Sequence, residues 1–224
     1  MSIFKRLSYN ISAKLTANGS ETESSILIIP VERLNNGDRA NSSRVVLFNH
    51  CGTHIDFPHH SFHDGRSIVE FSIEELIFDR PFIIDIPLTD NELVIVEHLH
   101  GKQKKLSECD LLLIRSGFSV FRASDLDRYT WNTPGVTAEA AQYLVDNFPN
   151  IRAIGIDFLS FETLRDISHG FRAHKAVLGK DVIIIEDLNL AEIDNGIISR
   201  IFAFPLYIED IDSFHTTVVA ELIS

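Results

Sequence analysis

The chain has 224 residues, 45% hydrophobic and 23% charged, which is typical of a soluble globular protein whose core needs no disulfides. Its formal net charge of −12 argues against nucleic-acid and anionic-membrane partners, because both require clustered Lys and Arg. No apolar run approaches the ~20 residues of a membrane span, and no signal-peptide pattern is visible. Cys51 and Cys109 are too few for a disulfide framework, which favours a cytoplasmic location.

Short β-branched and apolar runs predict a strand-rich chain. Many of these runs are apolar at four or five consecutive positions, which is typical of strands buried on both faces of a sheet. In chain order, the predicted strands cover residues 26–31, 45–48, 82–86, 93–96, 111–115, 153–157, 182–186, 201–207 and 216–222.

Three segments predict helices. The clearest is 137–148, whose first residue can cap the N-terminus and whose apolar residues recur with helical spacing. A capping-box sequence predicts a short helix over 72–78, and 171–178 is the third candidate. Segments 35–43 and 187–196 are predicted surface loops.

The predicted strands outnumber the helices and alternate with them only in places. That pattern favours an α/β fold built on one mixed sheet over a regular doubly wound fold. No internal repeat, low-complexity tract or linker divides the chain. Residues 1–224 are therefore expected to form a single domain, strand-rich with a few helices.

Five of the ten histidines lie between His50 and His63, with Asp56 among them. Neutral imidazole and carboxylate are the usual ligands of a borderline divalent ion such as zinc, or of manganese where oxygen ligands are more numerous. Histidine also changes charge near neutral pH, so the same cluster can supply a proton carrier. The cluster therefore indicates a metal site with an acid–base group beside it, which are the main components of a hydrolase.

This histidine segment is predicted to be extended, because Gly52, its β-branched neighbours and Pro58 oppose a helix. Side chains alternate along a strand, so His50, His54 and Asp56 fall on one side and apolar residues on the other. An ideal strand would separate the two imidazoles by about 13 Å, too far to share an ion, but a bulge at Gly52 can bring them together. We therefore expect a strand whose polar side forms a metal-facing edge.

Pro58 is expected to end this strand and to turn His59 and His60 into the cavity beyond it. His59 and His63 flank the cluster and are expected either to support it or to be solvated. The remaining histidines lie in polar surroundings and are expected to have no specific role: His98, His100, His169 and His215.

The segment resembles the signature H-x-G-T-H-x-D-x-P-x-H of the metal-dependent cyclase/hydrolase family, which includes bacterial kynurenine formamidase and isatin hydrolase. Residues 153–157 with Ser160, 173–179 and 182–189 are also similar to segments of that family. The resemblance runs from about residue 44 to residue 222. All the fixed positions of the signature are matched, by His50, Gly52, Thr53, His54, Asp56, Pro58 and His60.

The resemblance implies a ligand set that spacing alone could not provide. It implies one metal position in the signature and a second completed by two distal residues, with the aspartate bridging. His60, the last histidine of the signature, is implied in proton transfer. The implied metal ligands are His50, His54, Asp56, His174 and Glu186.

The resemblance further implies a swivelling β/β/α architecture and assembly as a homodimer or homotetramer. The implied activity is metal-dependent hydrolysis of the C–N bond of a cyclic or N-acyl amide. One or two zinc or manganese ions would activate water, and His60 would act as general acid and base on a small-molecule substrate. Two alternatives stay open: a biosynthetic cyclase or dehydratase acting on a polyketide-like substrate, and a non-catalytic metal-binding protein.

Residues 1–25 match the family poorly. Family members of the formamidase type begin with a Leu-Ser-Pro-like segment and an aromatic residue that lines the substrate pocket. Here the corresponding residues are 7–12, Leu-Ser-Tyr-Asn-Ile-Ser, and the only tryptophan is Trp131. This difference predicts a preferred substrate other than N-formylkynurenine. Phe158 and Phe161 are candidate aromatic walls of the pocket, although core packing is the commoner role of such residues.

Overall fold

The computed structural model describes residues 3–11, 26–163 and 167–223. Short 3-10 turns join several of the elements in this part of the chain. The strands are β1 Ile3–Arg6, β2 Ile26–Glu32, β3 Ser42–Leu47, β4 His54–Asp56, β5 Ile77–Phe78, β6 Pro81–Asp85, β7 Leu93–Val94, β8 Leu111–Arg115, β9 Gly135–Val136, β10 Ala153–Ile156, β11 Ile183–Glu186, β12 Ile198–Pro205 and β13 Ser213–Leu222. The helices are α1 Gln103–Glu108, α2 Phe121–Ser124, α3 Leu126–Trp131, α4 Ala138–Asn147 and α5 Ile167–Leu178.

One mixed sheet organises the fold. Its strand order is β5-β12-β13-β4-β11-β10-β8-β6, and β1 pairs with β13 beside this path. The β11-β10-β8-β6 half is parallel, and the other pairs are antiparallel. Helix α4 lies between β8 and β10 in the chain and α5 between β10 and β11, as crossovers between parallel strands require. The expected strand-rich, mixed α/β fold is confirmed.

The parallel strands are buried on both faces, as their continuously apolar sequences predict. In β8, Leu112 and Ile114 pack in one core together with α4 and α5. Leu111 and Leu113, which alternate with them, pack in a second core against β12 and β13. The sheet is thus held between two apolar cores, and its strand ends form a fixed base for the side chains that follow them.

Helix α4 confirms the helix predicted at 137–148. Thr137 caps it, since its Oγ1 accepts a hydrogen bond from the backbone N–H of Ala140 at 3.1 Å, and acceptors at this position satisfy otherwise unpaired N–H groups. Helix α5 confirms the candidate at 171–178 and is longer than predicted.

The prediction of a helix at 72–78 is wrong. Only one 3-10 turn, Glu74–Leu76, forms there, and the next two residues are strand β5. Ile77 and Phe78 pair with β12, and Phe78 is fully buried. Sheet pairing and burial outweigh a local helical preference of a few tenths of a kcal/mol per residue.

The amino-terminal residues belong to the fold. Strand β1 extends the sheet by pairing with the end of β13, Leu7 is fully buried, and Ser8 forms an isolated bridge with Leu188. Within the segment 1–25, therefore, residues 3–11 are part of the fold, and residues 1–2 and 12–25 lie outside the described part. No helix in the described part is long and apolar enough to cross a bilayer.

Strands β2 and β3 form a separate two-stranded hairpin. Both were expected from their apolar sequences, yet their side chains are largely exposed: Leu27 and Ile28 are each 55% exposed, and Val31 is 64% exposed. Val45 and Val46 on β3 are about half exposed as well. Apolar residues thus face outward on both sides of this hairpin, unlike those of the buried parallel strands β10 and β11.

Candidate metal centre

The signature segment is extended only in part. Strand β4 covers His54–Asp56, whereas His50 lies in the bend before it. Gly52 has a φ of +63°, a left-handed conformation that glycine adopts without steric cost. Pro58 ends the strand as expected and begins the 3-10 turn Pro58–His60.

Strand β4 lies inside the sheet, paired with β11 on one side and with β13 on the other. Alternation still separates the side chains, because His54 and Asp56 enter the histidine cluster while Ile55 is fully buried in the core. Both neighbouring strands are distant in the chain, so the local pattern could not place them beside β4.

Sheet pairing and one helix bring the two distal residues to the cluster. Glu186, the last residue of β11, pairs directly with His54, and its Oε2 is 3.4 Å from His54 Nε2. His174 projects from α5, and its Nε2 is 3.3 Å from Glu186 Oε1 and 3.7 Å from Asp56 Oδ2. All five residues implied as ligands therefore meet in one place.

The separations between donor atoms suit metal coordination. Asp56 Oδ1 lies 3.1 Å from His50 Nδ1 and 3.5 Å from His54 Nε2. In a tetrahedral site with bonds of about 2.0–2.2 Å, ligand atoms stand about 3.3–3.6 Å apart. His54 Nε2 and Asp56 Oδ1 are also buried without a hydrogen-bond partner, and buried polar atoms rarely remain so. The donor set therefore fits a divalent cation.

Backbone carbonyls orient two of the imidazoles. Nδ1 of His54 is 2.7 Å from the carbonyl oxygen of Gly52, and Nδ1 of His174 is 3.2 Å from that of Gly170. A carbonyl only accepts, so in each neutral ring Nδ1 carries the hydrogen and Nε2 carries the lone pair. A hydrogen bond of this kind from the outer ring nitrogen is usual for metal-ligating histidines.

The electrostatic environment favours positive charge. Burial alone would raise the pKa of Asp56, but His54, His174 and His50 hold it well below its ordinary value. Burial would likewise lower the pKa of His50, yet the neighbouring carboxylates of Asp212 and Asp56 raise it to about 10. The same balance, with Asp56 and Glu186 as the partners, raises the pKa of His174 well above its ordinary value. The carboxylates thus create a site that stabilises cations.

His60 lies beside the cluster. Its ring centroid is 4.4 Å from that of His50 and 5.7 Å from that of His174, and its Nδ1 is 2.7 Å from Asp212 Oδ2. The side chain is 26% exposed, in contrast to the buried His54 and His174. His60 is therefore close enough to act on a molecule bound at the cluster, and it remains accessible to solvent.

Glu186 is fixed by the loop that follows β10. Its Oε1 accepts hydrogen bonds from the backbone N–H of Phe161 at 2.8 Å and from the hydroxyl of Ser160 at 3.1 Å. The ring of Phe161 also packs against His174, with centroids 5.6 Å apart. Phe158 and Phe161 are both fully buried core residues, and Phe161 also contacts the cluster through His174.

A buried ion pair lies directly behind the cluster. Asp187, which follows Glu186, is fully buried, and its carboxylate accepts hydrogen bonds from Arg122 Nε at 2.7 Å and Nη2 at 2.8 Å. The hydroxyl of Tyr129 donates to the same carboxylate at 2.6 Å. The carbonyl oxygen of Asp187 accepts from the hydroxyl of Thr53, the residue before His54, at 2.6 Å. This network joins the chain segments that carry two of the candidate ligands.

Replacing Arg122 by alanine is expected to lower the free energy of unfolding by about 3–5 kcal/mol, because it leaves a buried carboxylate without its counter-ion. Urea denaturation of both proteins measures the difference. The matched control is Arg128→Ala, which removes a 2.7 Å pair with Asp90 that is more than one-third exposed and should cost no more than about 1 kcal/mol. Equal losses in the two variants would contradict a structural role of the buried pair.

His63 and His215, which are not among the candidate ligands, differ in their surroundings. The side chain of His63 is 98% exposed beside Asp64, so of the two alternatives expected for it, support of the cluster or solvation, the structure shows solvation. His215 was expected in polar surroundings, but it pairs with His54 across β13 and β4, and its Nε2 is 3.3 Å from Cys51 Sγ. Burial is the main reason why its pKa is lowered to about 4.

Asp212 belongs to the cluster but was missed by sequence reasoning. Asp212 lies between β12 and β13 and contacts both His50 and His60. Burial would raise its pKa, but the two histidines hold the pKa well below the ordinary aspartate value. In the sequence it belongs to the acidic run 209–212, which is typical of a solvated turn, and no spacing connects it to the histidines.

Two relatives show what the chain resembles in sequence. Cyclase-like protein 3 of Oryza sativa subsp. japonica is 32% identical over 74% of this chain and 60% of its own length. The kynurenine formamidase of Erythrobacter litoralis is 28% identical over 81% of this chain and 77% of its own length. The chain thus spans about 60% of the rice protein.

Solved structures share the fold along the whole chain. An isatin hydrolase bound to the product analogue thioisatinate superposes with a TM-score of 0.83 at 18% identity, covering 100% of this chain and 93% of its own. A predicted metal-dependent hydrolase from Bacillus stearothermophilus gives a TM-score of 0.77 at 24% identity, over 99% and 98% of the two chains. The architecture is therefore the one found in these hydrolase structures. The sequence profile of the Cyclase family matches residues 6–163, and the chain belongs to that family.

Proposed function

We propose that this protein is a metal-dependent hydrolase that cleaves the C–N bond of a cyclic or N-acyl amide. The main observation in its support is that three histidines and two carboxylates converge. At the centre of this cluster, His54 Nε2 and Asp56 Oδ1 are buried without a hydrogen-bond partner. Membership of the Cyclase family supports the proposal. A relative named kynurenine formamidase and a structural neighbour named isatin hydrolase point to the same class of bond.

The proposed cofactor is zinc or manganese, bound as one or two ions. Mixed imidazole and carboxylate ligands suit either metal. A bound divalent ion supplies polarisation of a carbonyl oxygen and lowers the pKa of water to about 7. The residues proposed to hold the metal are His50, His54, Asp56, His174 and Glu186.

His60 is proposed to carry the proton. Its Nδ1 is committed to Asp212 at 2.7 Å, which leaves Nε2 to exchange a proton with substrate or water. Nε2 would accept a proton from the attacking water and deliver it to the leaving nitrogen, so the amine departs in neutral form. Its proximity to the rings of His50 and His174 keeps this transfer within the cluster.

Turnover of a substrate panel tests the proposed function. The protein, freed of metal by a chelator and then loaded with zinc or manganese, is assayed on aryl formamides, lactams, isatin-like cyclic amides and polyketide-like precursors. We expect metal-dependent hydrolysis of at least one amide. We also expect a kcat/KM on N-formylkynurenine below about 10⁴ M⁻¹s⁻¹, the low end of the ordinary enzyme range, because the amino-terminal segment differs from that of the formamidases.

The panel also separates the alternatives. Ring closure or water loss on the polyketide-like compounds, without amide hydrolysis, would identify a biosynthetic cyclase or dehydratase. Tight metal binding without any turnover would support the other alternative, a non-catalytic metal-binding protein. Efficient hydrolysis of N-formylkynurenine would contradict the inferred specificity but not the inferred reaction.

The protein is further proposed to form a homodimer or homotetramer. The exposed apolar residues on both sides of the β2–β3 hairpin support this assembly, because an isolated hairpin is only marginally stable in water and large apolar patches mark interaction surfaces. Light scattering on the purified protein is expected to give a mass of two or four times the 25.3 kDa of one chain. A mass of one chain would contradict the assembly.

A cytoplasmic location is also proposed. Cys51 and Cys109 are both buried, and burial raises the pKa of the Cys109 thiol to about 12. A chain with two cysteines and no disulfide framework is ordinary in a reducing compartment.

A further inference from the structure

Asp212 joins two histidines of the signature segment although it lies far from them in the chain. Its Oδ2 is 2.8 Å from His50 Nε2 and 2.7 Å from His60 Nδ1. Its Oδ1 accepts a hydrogen bond from Asn49 Nδ2 at 2.8 Å. One carboxylate thus accepts from three neighbouring N–H groups, two of which belong to candidate site residues.

The backbone fixes this carboxylate relative to the cluster. The carbonyl oxygen of Asp212 accepts from the backbone N–H of Phe57 at 3.0 Å. Ser213, the next residue, is fully buried and pairs with Asp56 in the register between β13 and β4. Asp212 is therefore anchored to the same strand that carries two of the candidate ligands, and it is not a freely moving surface side chain.

The chemistry of a carboxylate determines which ring nitrogens carry hydrogen. An ionised carboxylate only accepts hydrogen bonds, and in a neutral imidazole one nitrogen donates while the other accepts. With a cation bound in the cluster, His50 is neutral and donates from Nε2 to Asp212, which leaves Nδ1, 3.1 Å from Asp56 Oδ1, as the nitrogen that can bind the cation. His60 donates from Nδ1, which leaves the lone pair on Nε2. Each ring is held in the form that its proposed role needs.

We propose that Asp212 is a positioning residue that sets the tautomer and orientation of His50 as a metal ligand and of His60 as the proton carrier. The role of His60 rests on the proposed function, whereas the orientation of His50 concerns metal binding alone. A single carboxylate oxygen shared by the two rings couples metal binding to proton transfer. Hydrogen bonds from ligating histidines to an outer carboxylate are usually worth about 10- to 100-fold in metal affinity or activity.

The test is Asp212→Asn, with Asp210→Asn as the matched control. Asparagine has the same size but one acceptor oxygen, so it cannot accept from Asn49, His50 and His60 together. Asp210 lies in the same turn and is exposed, so its replacement makes the same change of charge. Zinc affinity is measured by competition with a chromogenic chelator. The His60 tautomer is read from long-range ¹H–¹⁵N spectra of the zinc-loaded protein, with His60→Ala for assignment.

For Asp212→Asn we expect zinc affinity to fall about 10- to 100-fold and His60 to lose its pure Nδ1–H tautomer. On the best amide of the panel, kcat should fall by a similar factor while KM changes little, because the proton transfer occurs only in the transition state. Asp210→Asn should resemble the wild type in every measurement. If Asp212→Asn does not fold, Asn49→Ala, which removes one donor to the carboxylate, should shift affinity and tautomer in the same direction but less.

Two results would overturn the positioning role. Zinc affinity and a His60 tautomer equal to those of the wild type would show that Asp212 orients neither ring. Zinc loss as complete as in an Asp56 variant would make Asp212 a ligand itself. If no substrate of the panel is turned over, the proposed function is contradicted. The zinc affinity and the His60 tautomer would still decide whether Asp212 is a positioning residue.

Discussion

Replacing Asp56 by alanine is expected to abolish metal binding and the thermal stabilisation that accompanies it. Asp56 is 1% exposed, and its two oxygens face His50, His54 and His174. Zinc at about 100 times its Kd should stabilise the wild type by about 2.7 kcal/mol, a rise of about 5–10 °C in melting temperature for a chain of this size. The variant should show no rise, because it lacks the carboxylate shared by the two candidate metal positions.

The comparison is made within each protein, with and without zinc, so any intrinsic cost of the substitution cancels. Elemental analysis gives the metal content of the same samples. Asp64→Ala is the matched control, since Asp64 lies in the same segment but its side chain is fully exposed, and it should respond to zinc like the wild type. Equal metal content in wild type and Asp56→Ala would remove this cluster as the metal site.

Replacing His60 by alanine is expected to lower kcat by about 10² to 10⁴, the usual contribution of a positioned general acid–base group. KM should change little, because proton transfer stabilises the transition state and not the bound substrate. Metal content should remain that of the wild type, since the ligands proposed for the metal are all retained. Steady-state kinetics on the best amide and elemental analysis of the same preparation check both expectations.

His63→Ala serves as the control for His60, because it removes a histidine of the same segment whose side chain is 98% exposed. It should leave both kcat and metal content unchanged. Loss of metal from His60→Ala would make His60 a ligand, and His59 would become the candidate proton carrier. If His60→Ala keeps full activity and full metal content, the imidazole of His60 is not needed for the proton transfer.

The sequence predicts the sheet better than it predicts the environment of each strand. Continuous apolar runs such as 111–115 correspond to strands buried on both faces, because a parallel sheet has a core on each side. The run 26–31 has the same composition but forms the exposed hairpin. Composition alone cannot tell a buried strand from an apolar strand that extends from the domain, since the difference lies in which distant segments pack against it.

The candidate site divides in a similar way. Strand alternation and ligand chemistry identify His54 and Asp56 from local sequence, and the family resemblance supplies His174 and Glu186. The position of β4 inside the sheet was not predictable, because it depends on pairing with β11 and β13. Asp212 was not predicted for the same reason, since it reaches the histidines only through the pairing of β13 with β4.

The order of the site residues along the chain has a consequence for biosynthesis. His50, His54 and Asp56 are made early, whereas His174, Glu186 and Asp212 come from the last quarter of the chain, and β13 must still pair with β4. Ligands that are far apart in an unfolded chain rarely form a site before folding. A metal held by all five proposed ligands would therefore bind only after the ribosome has made the segment through β13, and metal supply in the cell would act on chains that already contain this segment.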